Sequence, residues 1–291
     1  MKKECFLLDV FTSTSFAGNQ LAVFPSADDL SSEQMQKLAN EINYSETTFI
    51  FKSPDADADY DIRIFTPYTE LPFAGHPTLG TAYAILNALE TDETRTKIKL
   101  KTKVGVIPLE KSEDIIWMRQ NDPEFFNIYK NKSEIADLVG LNSDDISDDL
   151  PIEEVSTGNT ILVVPINDLS AIKRAVGNMN RIADFFKNRK SMAPYLFTLE
   201  TENPQSKIHT RFFAPHLGII EDPATGSAAG PLAGYLLKYN VFGNRFEVQN
   251  EQGIEIRRPS QILMRGSNVD GKYKIEIGGT CYFLGYSTFN L

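Results

Sequence analysis

The pattern of hydrophobic and polar positions predicts a chain made mostly of short strands. Lys97–Thr102 alternates strictly, with lysines on one face and Ile98, Leu100 and Thr102 on the other, as expected for a half-buried strand. Runs rich in β-branched and aromatic residues predict further strands in the first part of the chain at Cys5–Val10, Gln20–Phe24, Thr47–Phe51, Tyr60–Phe65, Val104–Leu109 and Ile115–Met118.

One amphipathic helix is predicted to begin after Ser31. Ser31 and Gln34 have the spacing of a capping box, in which each side chain satisfies a backbone N–H of the other residue. Met35, Leu38 and Ile42 then recur on a single helical face.

Two further helices are predicted at Pro77–Leu89 and Gly226–Tyr239, and both are apolar nearly all round. A helix of that kind has no face suited to water, so other elements must cover it on every side. We therefore expect each of these helices to be buried among strands.

The second part of the chain repeats this organisation after a polar and acidic stretch, residues 120–150. A domain junction is predicted near residues 118–125. Beyond it, strands are predicted at Ile152–Ser156, Ile161–Ile166, Tyr195–Glu200, Lys207–Phe213 and from residue 240 to the end, and helices near Ser133–Val139, Leu169–Ala175 and Arg181–Lys187.

Three pairs of similar segments indicate that the two parts are internal repeats. Gly18–Val23 resembles Gly158–Val163, which lies 140 positions later in the chain. Arg63–Pro67 resembles Arg211–Pro215, which lies 148 positions later. Gly75 and Gly226, which are 151 positions apart, each begin an apolar helix. The prediction is an α+β fold of two pseudo-symmetric halves, in each of which strands surround one apolar helix. We expect the first half at residues 1–120, with a C-terminal strand from about 280–291 as a candidate addition, the second half at 121–279, and the active site in the cleft between them.

Composition and charge disfavour several classes of function. The chain has 291 residues, and its 39 acidic and 29 basic residues give a net charge of −10, which disfavours nucleic acid as a partner. Two cysteines are too few for a disulfide scaffold or a four-thiolate zinc site. Three histidines (His76, His209 and His216) leave little material for a dedicated transition-metal site. The apolar stretch near the start is short, and no apolar run is long enough to span a membrane. These features predict a cytoplasmic protein that is not associated with membranes.

The starts of the two apolar helices are the first candidates for chemistry. Gly75 and Gly226 stand where a helix exposes unpaired N–H groups and partial positive charge, which suits a carboxylate or an enolate. The glycines could equally serve tight turns and close packing. His76 and Ser227 follow them, and each suits either a structural role or a hydrogen bond to a substrate.

Two acidic residues are candidates on position alone. Asp222 precedes the second apolar helix, where it either caps the helix or binds a cationic substrate group. Glu46 lies between the first helix and a strand. It is either a solvated or turn-capping carboxylate, or a general acid–base. The spacing does not decide between these alternatives.

The motifs around these residues resemble the phenazine-biosynthesis PhzF family, within the diaminopimelate epimerase-like superfamily. The resemblance covers almost the whole chain and is weakest in residues 120–200. The segments that carry it are Phe11–Phe24, Ser45-Glu46-Thr47-Thr48-Phe49, Arg63–Pro67, Glu70–Pro77, Glu221–Leu232, Gln252–Ile256 and Arg258-Pro259-Ser260.

The resemblance implies the diaminopimelate epimerase-like fold, in which each half is a mostly antiparallel β-barrel around a central apolar helix. It also implies an isomerase without cofactor or metal, usually a homodimer, that acts on a small carboxylated cyclic substrate. In PhzF that substrate is trans-2,3-dihydro-3-hydroxyanthranilate, and one carboxyl moves a proton between ring carbons. The acid–base glutamate of the family falls on Glu46. Its substrate-binding groups fall on Asn19, Gly75, His76, Asp222, Gly226 and Ser227.

The same superfamily includes racemases that use one thiol at each helix start, but here those positions are Ala74 and Thr225. Cys5 and Cys281 lie far from them in sequence, which disfavours a two-thiol mechanism. Two alternatives stay open beside the isomerase. One is an epimerase, lyase or tautomerase acting on another amino or hydroxy acid, and the other is a binding protein that has lost turnover.

Overall fold

The structure is a computed structural model and describes residues 2–92, 94–215 and 218–291. The strands are β1 (Lys2–Val10), β2 (Asn19–Phe24), β3 (Glu46–Lys52), β4 (Tyr60–Phe65), β5 (Glu70–Leu71), β6 (Lys97–Thr102), β7 (Gly105–Ser112), β8 (Ile115–Arg119), β9 (Glu124–Tyr129), β10 (Ile152–Ser156), β11 (Thr160–Pro165), β12 (Pro194–Thr198), β13 (Ile208–Phe212), β14 (Arg245–Gln252), β15 (Ser260–Val269), β16 (Lys272–Gly279) and β17 (Cys281–Asn290). The α-helices are α1 (Ser32–Ile42), α2 (Gly75–Ala84), α3 (Lys132–Leu138), α4 (Leu169–Arg174), α5 (Met179–Phe186) and α6 (Gly226–Lys238).

The chain forms two compact α+β units. The first comprises the residues up to Arg119 together with Gly278–Leu291, and the second comprises Gln120–Ile277. Among the described residues, no helix combines the length and the apolar character needed to cross a membrane.

In the first unit, strands surround the apolar helix α2. Strand β1 pairs antiparallel with both β17 and β2, β2 is parallel to β3, β3 is antiparallel to β4, and β4 is parallel to β6. Helix α2 packs against β1, β2, β3, β6, β7, β8 and β17, and of its ten residues only Tyr83 is not buried. Helix α1 covers a separate core, in which Met35 and Leu38 pack with Phe24 and Phe49.

The second unit has the same plan. Strands β10 and β11 are antiparallel, β11 and β12 parallel, β12 and β13 antiparallel, and β13 and β14 parallel. Helix α6 packs against β10, β11 and β15, and its residues are buried except Ser227 and Lys238. Helices α3, α4 and α5 cover a second core around Ile135, Ile172 and Ile182.

The strand register shows that the two units are repeats. In the first unit Val23 pairs with Thr48, Thr48 with Ile64 and Tyr60 with Leu100. The corresponding pairs of the second unit are Val163 with Tyr195, Tyr195 with Phe212 and Ile208 with Asn250. Each pair joins strands that are parallel in both units or antiparallel in both. Positions of the two units can therefore be equated residue by residue.

The structure differs from the prediction in two places. The helix predicted at Pro77–Leu89 begins at Gly75, and its last part, Ile85–Leu89, is a π-helix that follows α2. The acidic stretch after residue 120 contains the strand β9, which no sequence pattern indicated. None of its residues is buried, so no alternation of buried and exposed positions marks it, and it pairs with β10.

Candidate active site

Glu46 is the first residue of β3, and its parallel pairing with Leu21 of β2 fixes its position. The residue is only 6% exposed, so its carboxyl is largely removed from water. The position of Glu46 can be compared with its equivalent in the second unit, which is Ala193. The carboxyl is therefore a feature of one unit and not of the shared scaffold.

His76, the second residue of α2, lies beside Glu46, with its Nδ1 atom 3.4 Å from Glu46 Oε2. Its Nε2 atom is 3.3 Å from the carbonyl oxygen of Gln20, and its Nδ1 atom is 3.3 Å from Asn19 Nδ2. A carbonyl can only accept and an amide nitrogen can only donate. Nε2 therefore carries the hydrogen, and Nδ1 presents a lone pair.

The His76 ring is neutral at ordinary pH. Burial lowers the pKa of His76 to about 3, and the hydrogen bond to the Gln20 carbonyl opposes that shift only in part. The neutral ring therefore forms no ion pair with the Glu46 carboxyl, 3.4 Å away.

The two candidate glycines lie at the starts of the central helices. Gly75 is the first residue of α2 and Gly226 the first of α6. The residue before α2 is Ala74, whose side chain cannot cap the helix, so the first N–H groups keep their partial positive charge. Ser227 is the one residue in the first two turns of α6 that is not buried.

Asp222 lies in the loop before α6 and is 5% exposed. Its N–H donates to the carbonyl of Phe212 at 3.1 Å, and its Oδ2 atom accepts a hydrogen bond from Thr225 Oγ1 at 2.6 Å. The N-cap residue of α6, Thr225, therefore uses its hydroxyl on the carboxylate of Asp222.

Sequence reasoning assigned no role to Thr225 and Gln252, which surround Asp222. Gln252 Nε2 donates to the Asp222 carbonyl at 2.8 Å and to Thr225 Oγ1 at 2.9 Å. The Gln252–Ile256 motif was the only sequence signal for Gln252. Its hydrogen bonds could not be predicted, because they join segments that are distant in sequence.

The described residues contain no group of three or more His, Cys, Asp or Glu side chains arranged to hold a metal ion. Both cysteines are buried. Burial raises the pKa of Cys5 to about 12 and raises that of Cys281 as well, so neither thiol is an activated nucleophile. His209 is held between Glu251 and Glu255, while His216 lies outside the described residues.

The comparison with protein families decides the identity. The model of the phenazine biosynthesis-like (PhzC-PhzF) family matches residues 8–284. The chain belongs to the PhzF family. The structure of a PhzF family protein from Bacillus anthracis superposes with a TM-score of 0.91 at 30% identity and covers 100% of both chains.

Relatives within the PhzF family are isomerases by name. The trans-2,3-dihydro-3-hydroxyanthranilate isomerase of Pseudomonas aeruginosa is 35% identical over 94% of each chain. An uncharacterized isomerase of Bacillus subtilis is 33% identical over 96% of each chain. The predicted family, the α+β fold and the isomerase class are thereby confirmed.

Proposed function

We propose that the protein is a cofactor-independent isomerase that moves a proton within a small carboxylated cyclic substrate, similar to trans-2,3-dihydro-3-hydroxyanthranilate. The observation that carries this proposal is the Glu46 carboxyl, buried beside the neutral ring of His76. The name of the Pseudomonas aeruginosa relative supports the choice of substrate class.

In this mechanism Glu46 serves as both base and acid. Its carboxylate removes a proton from a ring carbon, and the electron pair of the C–H bond delocalises into the ring diene. Protonated Glu46, whose acidic proton exchanges with solvent, then delivers a proton to another ring carbon, and the double bonds shift accordingly. The balance is closed, because Glu46 delivers one proton for each proton that it removes, and the electron pair stays within the substrate. No oxidant or metal is required.

The remaining residues hold the substrate and its anion. We propose that the N–H groups at Gly75 and Gly226 stabilise negative charge, and that Asn19, His76, Asp222 and Ser227 bind the polar substituents. Orientation is as important as basicity here, because the proton must reach one particular carbon.

The test is proton exchange in D₂O with trans-2,3-dihydro-3-hydroxyanthranilate, followed by NMR and mass spectrometry. We expect isomerisation by the wild type and its loss in Glu46→Gln, which keeps the shape of the side chain. Glu41→Gln is the matched control, because Glu41 is exposed on α1 in the same unit. Full activity in Glu46→Gln would exclude Glu46 as the base.

The same experiment separates the alternatives. Deuterium uptake into another cyclic amino or hydroxy acid would retain Glu46 as the base and change the substrate. No exchange with any compound of such a panel would favour a binding protein. The homodimer implied by the family stays a prediction, and light scattering coupled to gel filtration measures it.

A further inference from the structure

Gln252 is the centre of a buried polar network in the second unit. It is the last residue of β14 and is fully buried. Its side-chain amide makes hydrogen bonds with Asp222, Thr225 and Tyr195. A primary amide in such a place is satisfied only if its oxygen and nitrogen each face the correct partners.

The partners fix the orientation of the Gln252 amide. Its oxygen accepts from the Tyr195 hydroxyl at 2.9 Å and from the Thr225 backbone N–H at 3.3 Å. The Thr225 N–H can only donate and the Asp222 carbonyl, 2.8 Å from Gln252 Nε2, can only accept. The amide nitrogen must therefore face Asp222 and Thr225.

The orientation of the amide sets the direction of the remaining bonds. Thr225 Oγ1 accepts from Gln252 Nε2, so its single hydrogen is left for Asp222 Oδ2 at 2.6 Å. Asp222 Oδ2 is consequently an acceptor. Donation from Gln252 to Thr225 and from Thr225 to Asp222 thus favours the ionised form of Asp222 and one orientation of its carboxylate.

The backbone around Asp222 is fixed as well. Glu221 forms two hydrogen bonds with Arg211, at 2.8 and 2.7 Å. Gly253 has a positive φ of 77°, and a Cβ there would lie 2.6 Å from the carbonyl oxygen of Pro223. Only glycine lets the turn after β14 approach the Asp222 loop so closely.

The first unit lacks this arrangement although it shares the scaffold. By strand register and by the Arg–Glu pair, the residues equivalent to Asp222, Thr225 and Gln252 are Leu71, Ala74 and Thr102. Thr102 only supports its own turn, by bonds with Gly105 and Val104. The network is therefore specific to the unit that contains Asp222 and is not a requirement of the fold.

We propose that Gln252 and Thr225 are positioning residues that hold Asp222 as an oriented carboxylate for the substrate. The inference rests on the proposed role of Asp222 in substrate binding. It assigns Thr225, at the position of a racemase thiol, to the support of a carboxylate instead of to proton transfer.

Thr225→Val tests the proposal, because valine keeps the shape of threonine and removes the hydroxyl. We expect kcat/KM to fall about ten- to a hundredfold, mainly through KM, as a hydrogen bond to a charged group is lost. The acidic limb of the kcat/KM pH profile should also move to higher pH. Thr225→Ser should restore both. Gln252→Glu should show the same pH shift, whereas Gln249→Glu, on the same strand and bonded to Ser206, should not.

A second readout does not depend on turnover. The ¹³C resonance of the Asp222 carboxyl, assigned with Asp222→Asn, reports its titration directly. We expect a higher midpoint in Thr225→Val and recovery in Thr225→Ser. An unchanged midpoint would overturn the positioning role. A shifted midpoint in a protein that does not isomerise the substrate would leave the positioning role and refute the proposed function.

Discussion

His76 differs from an exposed histidine because its ring is buried and bonded on both nitrogens. Burial lowers the pKa of its ring from the ordinary value of 6.5 to about 3. Below pH 6.5 the unfolded chain therefore binds a proton that the native protein does not. The neutral His76 ring thus makes folding less favourable in acid.

The first prediction follows from this difference in proton binding. As pH falls from 6.5 towards 3, His76 should reduce the free energy of unfolding by up to about 1.4 kcal/mol per pH unit. His76→Gln should remove that component. Urea unfolding, followed by the fluorescence of the single tryptophan Trp117 at several pH values, measures it. Equal slopes for the wild type and the variant would show that the native ring is protonated.

The cysteines lead to a second prediction at the residue scale. Cys5 and Cys281 are buried in strands of the first unit and have raised pKa values. We expect a thiol reagent at pH 8 to leave the native protein unmodified and active, and to label two thiols in denaturant. Rapid labelling with loss of activity would indicate a thiol mechanism and contradict the role of Glu46.

The sequence indicated single residues well where the motif was local. Ser31 and Gln34 form the predicted capping box. Thr225 and Gln252 could not be found in this way, because their partners come from β12, β13 and β14 and meet only through strand register. Successive side chains of β13 and β14 also point to opposite faces of the sheet. Thr210 and Gln252 therefore belong to one hydrogen-bond network, and His209 and Glu251 belong to another.

At the scale of elements, each unit has an arginine–glutamate pair that ties the loop before its central helix to a strand. Arg63 bonds Glu70 at 2.7 and 2.8 Å, and Arg211 bonds Glu221 at 2.8 and 2.7 Å. The two pairs differ in burial, since the side chain of Arg63 is 28% exposed and that of Arg211 is 6% exposed. Arg211 also donates to the carbonyls of Ile172, Lys173 and Ala175 at the end of α4.

Because the two arginines differ in burial, we expect their replacement by alanine to lower the free energy of unfolding by different amounts. Arg211→Ala leaves a buried carboxylate and three carbonyls without their donor, and should cost about 3–5 kcal/mol of stability. Arg63→Ala breaks a more exposed pair, in which Lys103 still contacts Glu70, and should cost about 1 kcal/mol. Urea denaturation of both variants compares them. Equal losses would contradict the argument from burial.

At the scale of the whole molecule, the repeat makes the fold class predictable from the sequence. Two helices apolar on every side require strands around each, and the similar segments lie in equivalent positions of the two units. The strand β9 was missed because its order comes from pairing with β10. The two arginines of the Arg–Glu pairs stood in a repeated segment, but their glutamate partners lie outside that segment and were identified only by the structure.

The stability of the molecule against pH should reflect two histidines with opposite shifts. His209 is fully buried between Glu251 at 2.8 Å and Glu255 at 2.9 Å. Burial alone would lower its pKa, but the hydrogen bonds to both carboxylates outweigh this and raise the pKa to about 9. The native state therefore binds a proton that the unfolded chain has lost above pH 6.5.

We therefore expect the contribution of His209 to be complete below pH 6.5 and to disappear as pH rises through 9. His209→Asn should lower stability at pH 7 and flatten its fall between pH 7 and 9.5. Glu255→Gln, which keeps a polar partner but removes one charge, should move the fall to lower pH. Thermal unfolding at closely spaced pH values measures all three proteins. If His209→Asn reduced stability by the same amount at every pH, the native ring would be neutral, and the two buried carboxylates would need another source of compensating charge.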